Sequence, residues 1–331
     1  MLPMTSYLDS EVSALIEKGR ISEAYNLLTQ TELNGDGRAA LMLGDMRLSG
    51  QVIRRDLAEA QRRYAAAAAL GEPEGVGPAI ALLAAGPANV ERDWQAALTL
   101  LKQWAERHAQ QKTQHDLLTA MDIDREGDPN IIRAPEMIKQ APSIARYNSF
   151  LNRAECAYLM TVSKPNLQPS VIVDPNTGKL FRDPIRSGST AFFGLVLENP
   201  VLHAINRRIA RASETMWEQG EPAQVIAYDQ GQEYKLHSDA LPAGQPQRIK
   251  TMLIALNDNY VGGSTSFPQL KLDIRLKTGD ALMFENVDAD GKPASIMRHA
   301  GLPVTRGRKF LLSRWIRERP LDLSGPPGRP F

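Results

Sequence analysis

The chain has little cysteine, few aromatic residues and no excess of charge of either sign. Cys156 is its single cysteine, so no intrachain disulfide can form, and its apolar helical surroundings predict a small buried residue. The net charge of +1 provides no footprint for nucleic acid. No apolar run approaches the roughly 20 residues that span a bilayer, and the first residues lack a signal-peptide pattern. We therefore expect a cytoplasmic protein without a membrane segment.

Basic residues concentrate only near the C-terminus. Five arginines lie between residues 306 and 319: Arg306, Arg308, Arg314, Arg317 and Arg319. They could form a local basic patch, but the pattern favours side chains that solubilise a C-terminal strand and its edge. The residues after 319 are rich in proline and glycine and indicate a flexible tail.

Histidine is scarce as well, with five residues in the chain. His237 and Asp239 are separated by one residue, and His299 follows far downstream. Two imidazoles and one carboxylate are the ligand set of the facial triad in non-haem Fe(II) oxygenases. If residues 235–240 form a strand, side chains two apart point to the same face and could bind one metal together. The His-x-Asp spacing alone is common by chance, so the surrounding sequence has to show whether these residues bind a metal.

The first 120 residues are rich in helix formers, with apolar positions three and four residues apart. An internal repeat is visible, because Ala24, Ala60 and Ala97 follow one another at intervals of 36 and 37 residues. The pairs Arg55-Asp56 and Arg92-Asp93 recur at the same spacing.

Two glycines support the same repeat. Gly44 and Gly71 fall where helical repeats have close helix approaches or turns. The pattern resembles the Sel1-like subclass of tetratricopeptide repeats, with degenerate copies. Such a domain offers a concave surface, which could recognise a substrate or serve as a cap or a homodimer interface. The oligomeric state does not follow from the sequence.

The pattern changes after a polar connector at residues 121–140. Short apolar runs separated by turn residues predict strands, at 170–173, 224–228, 251–256, 281–284 and 309–315. Helices are predicted at 153–162 and from Pro200 to about Trp217. Strands with few intervening helices indicate an antiparallel double sheet.

Several motifs of the second half resemble the prolyl 4-hydroxylase-like 2-oxoglutarate oxygenases. The segment from Tyr228 to Asp239, YDQGQEYKLHSD, resembles the first iron-binding segment of that family. The other matches follow in the family's order: Arg248-Ile-Lys-Thr251, Gly262-Gly263-Ser-Thr-Ser-Phe267, Gly279-Asp-Ala-Leu-Met-Phe284 and the stretch from His299 to Lys309. The resemblance covers roughly residues 143–318.

This resemblance implies an α+β chain with three parts. A helical repeat domain occupies residues 1–126, a double-stranded β-helix (jelly-roll) oxygenase domain occupies residues 127–319, and a flexible tail occupies residues 320–331. It also implies Fe(II), 2-oxoglutarate as cosubstrate, O2, and ascorbate as a candidate reductant.

The resemblance assigns roles to the residues that match. His237, Asp239 and His299 would bind the iron. Lys309 would bind the far carboxylate of 2-oxoglutarate, because a buried ammonium requires an anion, and we expect it on a strand adjacent to that of His299. Tyr228 would hydrogen-bond the same cosubstrate.

Thr251 is a further candidate for a cosubstrate contact, but an ordinary strand residue explains it equally well. Tyr234 and Trp315 match aromatic positions near the substrate, with core packing as the alternative. Arg186 and Arg317 could face the substrate, or they could be exposed arginines. Residues 240–247 are expected to form a lid or loop.

Asp239 favours hydroxylation, because halogenating relatives have a small residue at that position. The expected substrate is a prolyl or other residue of a peptide or protein, with release of succinate and CO2. Alternatives are a free or carrier-bound amino acid or other small molecule, and a non-catalytic repeat-based adaptor. Nucleic-acid dealkylation is disfavoured by the balanced charge and by Lys309, where those enzymes generally use arginine.

Overall fold

The computed structural model describes residues 7–173, 180–182, 185–242 and 246–322. Within these ranges the chain divides into two compact units. The first comprises residues 7–128 together with 194–204 and 322, and the second comprises residues 129–193 and 205–321. In the described part of the chain, none of the helices has the length and apolar character needed to cross a bilayer.

The first unit is a succession of helices. In chain order they are α1 (Tyr7–Glu17), α2 (Ile21–Leu33), α3 (Gly37–Ser49), α4 (Leu57–Ala69), α5 (Val76–Ala85), α6 (Trp94–Ala105) and α7 (Ala109–Ala120). The repeated alanines lie on α2, α4 and α6, and each is fully buried. Small side chains at these positions allow neighbouring helices to approach closely.

The repeated Arg-Asp pair marks the start of a helix. The Asp56 carboxylate accepts a hydrogen bond from the Glu59 N–H at 3.0 Å, and Asp93 accepts one from Ala96 at 2.8 Å. Both aspartates are therefore N-caps, of α4 and α6. The 37-residue repeat in the sequence therefore corresponds to a repeat of helix N-termini in the structure.

The two glycines occupy the kinds of position that the repeat predicts. A Cβ at Gly44 would lie 2.7 Å from Tyr64 Cε1, so α3 and α4 are in close contact there. Gly71 follows α4 with φ of +88°, a backbone conformation that favours glycine.

Residues 194–204 belong to the first unit, whereas the sequence analysis assigned them to the oxygenase domain. The short turn Leu195–Leu197 packs against α5, whose side chains are almost all apolar. The contact buries Leu195, although Leu197 stays exposed, and this burial explains why the segment joins the helices.

The second unit contains the strands and the remaining helices. The strands are β1 (Glu136–Lys139), β2 (Ile144–Tyr147), β3 (Gln168–Pro169), β4 (Val171–Val173), β5 (Leu180–Arg182), β6 (Ser189–Phe193), β7 (Ala223–Tyr228), β8 (Tyr234–His237), β9 (Arg248–Ala255), β10 (Val261–Gly262), β11 (Thr265–Phe267), β12 (Leu272–Ile274), β13 (Ala281–Glu285), β14 (His299–Gly301), β15 (Val304–Arg306) and β16 (Lys309–Arg317). The helices are α8 (Arg153–Ser163) and α9 (Pro200–Ser213), of which residues 205–213 fall in this unit.

The strands form two main antiparallel sheets. The larger has the order β1-β2-β13-β9-β16-β7-β6-β3, and the smaller has the order β12-β11-β14-β8. Phe267 of the small sheet and Phe284 of the large sheet meet edge to face, with ring centroids 5.1 Å apart. The core therefore lies between the sheets. Helices followed by an antiparallel jelly-roll core make this an α+β protein, as predicted.

The second predicted helix ends earlier than expected. α9 stops at Ser213, and Trp217 belongs to a separate 3-10 turn, Trp217–Gln219. The Ser213 hydroxyl donates to Ile209 O or Ala210 O, and Glu214 has φ of +57°. A left-handed residue ends the helix at that point.

Arg314 corrects the prediction that the C-terminal arginines solubilise a strand edge. Its side chain is fully buried, and the guanidinium donates to the carbonyl oxygens of Asn206, Trp217 and Glu221 at 3.0–3.1 Å. Gly220 leaves room for it, because a Cβ there would lie 2.2 Å from Arg314 Cζ. Of the predicted tail, residues 320–322 are described and 323–331 lie outside the described residues.

Candidate active site

His237 and Asp239 are brought together at the end of a short strand. β8 ends at His237, and Asp239 lies in the bend that follows. The sequence analysis considered a strand through residue 240. Because Asp239 lies outside the strand, strand alternation does not explain why the two side chains point to one place. His237 Nε2 lies 3.5 Å from Asp239 Oδ1.

His299 completes the group from the neighbouring strand. β14 pairs with β8, and His299 lies directly opposite His237. His299 Nε2 is 3.5 Å from Asp239 Oδ2. The three ligand atoms lie within 4.8 Å of one another, and within the described ranges no other such group of His, Cys, Asp or Glu occurs.

Hydrogen bonds orient both imidazoles toward a common point. Nδ1 of His237 lies 2.7 Å from Lys235 O, and Nδ1 of His299 lies 3.1 Å from Met297 O. A carbonyl only accepts, so each Nδ1 carries a hydrogen, and in the neutral ring Nε2 then has the lone pair that can bind a metal. Two ligands about 2.1 Å from one metal lie about 3 to 4 Å apart, which fits the observed separations.

The protonation states suit a divalent cation. Burial raises the pKa of the Asp239 carboxyl, but the two imidazoles and the Thr251 hydroxyl reverse this and hold its pKa well below the usual range. Burial lowers the pKa of His299 and favours its neutral form, although Asp239 opposes this effect. An ionised carboxylate beside neutral imidazoles is the form that binds a metal.

Thr251 supports the metal ligands and does not line the pocket. Its hydroxyl donates to Asp239 Oδ2 at 2.7 Å and accepts from the Asn286 amide at 2.9 Å. The structure therefore places Thr251 behind the carboxylate, in contrast to the expected cosubstrate contact. Sequence reasoning missed Asn286, because a buried asparagine after a strand carries no motif.

A pocket opens in front of the triad. Side chains from both sheets line it: Arg186, Ile226, Tyr228, Tyr234, His237, Asp239, Leu253, Thr265, His299, Gly301, Lys309, Leu311, Ser313 and Trp315. β16 contributes every second residue from Lys309 to Trp315, as the alternation of a strand requires. Three aliphatic side chains form much of the wall, which limits the access of water.

Lys309 and Tyr228 lie side by side in this pocket. They are paired in register between β16 and β7, and Lys309 Nζ lies 5.8 Å from the centroid of the Tyr228 ring. The expectation that Lys309 and His299 lie on adjacent strands is wrong, because β16 belongs to the large sheet and β14 to the small one. The two side chains approach the same pocket from different sheets.

The environment of Lys309 favours an anionic ligand. The residue is buried, and its ammonium donates to Gly263 O at 2.7 Å. Burial, together with the charge of Arg275, lowers its pKa to about 8. Among the described residues no carboxylate forms an ion pair with Lys309 within 4.0 Å. An incoming carboxylate would supply the missing counter-charge.

Tyr234 and Arg186 form one side of the pocket. The Tyr234 ring stacks on His237, with centroids 3.5 Å apart and planes 14° apart. Arg186 lies over the same ring, with Cζ 5.4 Å from the centroid. Its guanidinium donates to Thr190 Oγ1 and Gln224 Oε1. Arg186 is therefore a buried pocket residue and not an exposed arginine.

Trp315 lines the pocket, whereas Arg317 lies beyond it. Arg248 covers the indole, with Cζ 3.6 Å from the ring centroid. The Glu221 carboxylate accepts hydrogen bonds from both Arg248 and Arg317, at 2.7–2.8 Å. Arg317 thus belongs to an ion-pair cluster behind Trp315 and not to the pocket wall.

The loop after Asp239 is closed by one side chain. Gln247 accepts a hydrogen bond from Leu241 N and donates one to Leu241 O. Residues 243–245 of the expected lid lie outside the described residues. Cys156 is buried as predicted, and burial raises the pKa of its thiol to about 12, which disfavours a nucleophilic role.

Comparisons with known proteins agree with this site. The sequence profile described as the 2OG-Fe(II) oxygenase superfamily matches residues 223–317. Prolyl 4-hydroxylase 1 of Arabidopsis thaliana is 33% identical over 205 residues, which cover 56% of this chain and 72% of that protein. Prolyl 4-hydroxylase subunit alpha-1 of Rattus norvegicus is 30% identical over 215 residues, covering 61% and 40% respectively.

A solved structure is also similar. The viral collagen prolyl hydroxylase of Paramecium Bursaria Chlorella virus-1, in its 2-oxoglutarate complex, matches with 27% identity and a TM-score of 0.43. The match covers 53% of this chain and 95% of that one. From the sequence relatives and the triad, the chain belongs to the prolyl 4-hydroxylase family of 2OG-Fe(II) oxygenases, and it is a dioxygenase that uses Fe(II), 2-oxoglutarate and O2.

Proposed function

We propose that this enzyme hydroxylates a C–H bond of a prolyl residue in a peptide or protein. 2-Oxoglutarate and O2 are consumed, and succinate and CO2 are released. The observation that carries the proposal is the pocket, in which the triad and Lys309 converge in a chain related to prolyl 4-hydroxylases. Ascorbate remains a candidate reductant, and a cytoplasmic location stays a prediction from sequence alone.

His237, Asp239 and His299 would hold the iron. When bound there, Fe(II) supplies the activation of O2. The protein's contribution is a fixed set of three ligands that leaves the remaining coordination positions open. Thr251 and Asn286 hold the carboxylate, and the two carbonyl oxygens at Lys235 and Met297 hold the imidazoles.

Lys309 and Tyr228 would bind the far carboxylate of 2-oxoglutarate. The ammonium is buried and the phenol lies beside it in register. A cation held at a set place in the pocket orients the cosubstrate, so that its keto-acid end faces the triad. The aliphatic side chains of Ile226, Leu253 and Leu311 line the pocket and would exclude water from the cosubstrate.

Tyr234, Trp315 and Arg186 are the proposed contacts for the polypeptide substrate. The two aromatic side chains are held in place, Tyr234 by stacking on His237 and Trp315 by Arg248. Rigid aromatic faces suit a proline ring, which is compact and apolar. Arg186, fixed by Thr190 and Gln224, can donate to a backbone carbonyl of the substrate.

The helical unit is the proposed second contact for a polypeptide. A groove of about 630 Å³ runs between α4 and the end of α6. Its lining includes Ala65, Ala68 and Trp104, and the Trp104 ring stacks on His108 with centroids 4.6 Å apart. Proline-rich segments dock in aromatic-lined grooves, and this groove has such a ring beside a smooth alanine wall.

Two experiments test these proposals. Fe(II)-dependent succinate formation from 2-oxoglutarate, measured for the wild type and His237→Ala, tests the chemistry, and equal yields would refute it. Mass spectrometry of proline-containing peptides and of free amino acids, each tested for the gain of one oxygen atom, tests the substrate. Gain on free amino acids alone would favour a biosynthetic hydroxylase.

A variant of the groove tests the role of the helical unit. Trp104→Ala should raise KM for long proline-containing polypeptides and leave KM for short peptides unchanged. Leu33→Ala, at an exposed apolar position of the same unit, is the matched control. An equal KM for both variants with long substrates would remove the groove from the proposal.

A further inference from the structure

Arg275 holds the turn that contacts the buried ammonium of Lys309. The residue follows β12, and its guanidinium donates to Gly262 O at 2.7 Å, to Asp258 O at 3.2 Å and to Tyr260 O. Its Cζ also lies 4.6 Å from the centroid of the Tyr260 ring. One side chain therefore satisfies three carbonyl groups within a five-residue segment.

That segment has a conformation that needs such support. Gly262 and Gly263 have φ of +77° and +67°, so the backbone turns sharply between β10 and β11. Carbonyl groups that point away from a sheet ladder require other donors. The planar fork of arginine can satisfy several carbonyls at once, which a lysine cannot do.

Lys309 lies against the same turn. Its ammonium donates to Gly263 O at 2.7 Å, the carbonyl that directly follows those held by Arg275. A Cβ at Gly263 would lie 3.2 Å from Lys309 Cδ, so the lysine stem packs against the backbone. The place of the ammonium in the pocket thus depends on where this turn is held.

Electrostatics acts in the same direction. Arg275 is a second positive charge near Lys309, close enough to contribute to the lowered pKa of the ammonium. A dicarboxylate approaching that end of the pocket meets two cations, one directly and one through the turn. Arg275 itself is exposed, so solvent screens part of its charge, and its main contribution is the placement of the turn.

We propose that Arg275 is a positioning residue for 2-oxoglutarate, which acts by holding the 258–263 turn against Lys309. It does not touch the cosubstrate. The inference rests on the proposed role of Lys309 as the cation for the far carboxylate. It adds a contribution from a residue outside the pocket wall, whose effect is confined to cosubstrate affinity.

The test measures binding as well as turnover. Arg275→Met and Arg275→Lys are compared with the wild type by calorimetric titration of 2-oxoglutarate into the Mn(II)-loaded full-length protein without O2. We expect Arg275→Met to raise Kd about tenfold, as for other residues that orient a ligand-binding group. Arg275→Lys keeps the positive charge but loses the planar guanidinium, and its Kd should lie between those of the wild type and Arg275→Met. The kcat at saturating 2-oxoglutarate and the affinity for Mn(II) should stay within about twofold of wild type, well below that change.

Two further variants separate the possible outcomes. Arg308→Met removes an exposed positive charge next to Lys309 that pairs with Asp229, and it should leave Kd unchanged. Lys309→Met should raise Kd more than any Arg275 variant. If Lys309→Met has no effect, the proposed role of Lys309 is wrong. The positioning role is refuted if Lys309→Met weakens 2-oxoglutarate binding but Arg275→Met weakens it no more than Arg308→Met does. It is also refuted if Arg275→Met weakens 2-oxoglutarate binding and Mn(II) binding equally.

Discussion

The repeated positions of the helical unit and the pocket of the oxygenase unit bury different kinds of side chain. In the helical unit, the positions that repeat along the sequence are alanines with no exposed surface, such as Ala24, Ala60 and Ala97. In the oxygenase unit, the pocket buries the ionisable groups of His237, Asp239, His299 and Lys309. The first pattern follows from close packing. The second costs stability, because buried charges lose their hydration, and it is understandable only through binding and chemistry.

The largest effect should follow from removing the carboxylate of the triad. Asp239→Ala leaves two imidazoles and takes away the charged ligand, so 2-oxoglutarate turnover should fall by more than about a hundredfold. Asp229→Ala removes an exposed carboxylate that pairs with Arg308 and should retain wild-type turnover. Succinate yield at saturating Fe(II) measures both, and a large loss in Asp229→Ala would show that the effect is not specific to the triad.

Lys309→Met should separate affinity from stability. Loss of the cation should raise Kd for 2-oxoglutarate by about two to four orders of magnitude, since breaking a buried charge pair costs about 3–5 kcal/mol. Without cosubstrate, the variant should be more stable than the wild type by about 1–4 kcal/mol, because an unpaired buried ammonium is replaced by an apolar side chain of similar length. Calorimetric titration and urea unfolding measure the two quantities, and lower stability would contradict the comparison of the two units.

The affinity for 2-oxoglutarate should decrease at alkaline pH. The pKa of Lys309 in the free protein is lowered from 10.5 to about 8, so the ammonium loses its proton as the pH rises through about 8. Above that value Kd should rise about tenfold for each pH unit, because binding requires the protonated form. Lys309→Arg stays charged, and its Kd should vary less between pH 7 and 9.5. A flat profile for the wild type would show that Lys309 does not titrate in this range.

The same titration has the opposite effect on stability. Between about pH 8 and the ordinary lysine pKa, the folded protein binds fewer protons than the unfolded chain. The contribution of Lys309 to the free energy of unfolding therefore rises with pH over this window. Urea unfolding of the wild type and Lys309→Met should show that the difference between their free energies of unfolding is smaller at pH 9.5 than at pH 7.5.

The smallest effects should come from those positions of the helical unit that contribute only to helix packing. Gly44→Ala places a Cβ 2.7 Å from Tyr64 Cε1 and should lower the free energy of unfolding by about 1–3 kcal/mol. Gly77→Ala, on α5 with no atom within 4 Å of the added Cβ, should be neutral or stabilise by up to about 1 kcal/mol. Neither variant should change the Kd for 2-oxoglutarate. A weakened cosubstrate affinity in Gly44→Ala would mean that the two units are energetically coupled.

Local sequence signals predicted the elements and the grouping of the triad. The strands at 224–228, 281–284 and 309–315 and the helix at 153–162 follow from periodicity, and their bounds differ by only a few residues from those in the structure. The triad was expected from its residue types and from motifs in a characteristic order. These signals are local or depend on order along the chain, which a single sequence shows directly.

Long-range partners could not be predicted in the same way. Nothing next to Thr251 shows that its hydroxyl donates to Asp239, twelve residues earlier in the bend after β8. The sequence predicts an exposed charge at Arg314, yet its guanidinium donates to carbonyl groups about a hundred residues away along the chain. The placement of Lys309 and His299 in different sheets could not be predicted either, because the neighbours of a strand depend on the whole fold.

The alternation along β16 has a consequence for how this sequence can change. The pocket is faced by Lys309, Leu311, Ser313 and Trp315. A slip of one residue would present Phe310 and Arg314 in their place. The link from β15 to β16 is only residues 307–308, with no slack to absorb an insertion. Relatives of this chain should therefore tolerate substitutions in β16 more readily than a gain or loss of one residue in that link.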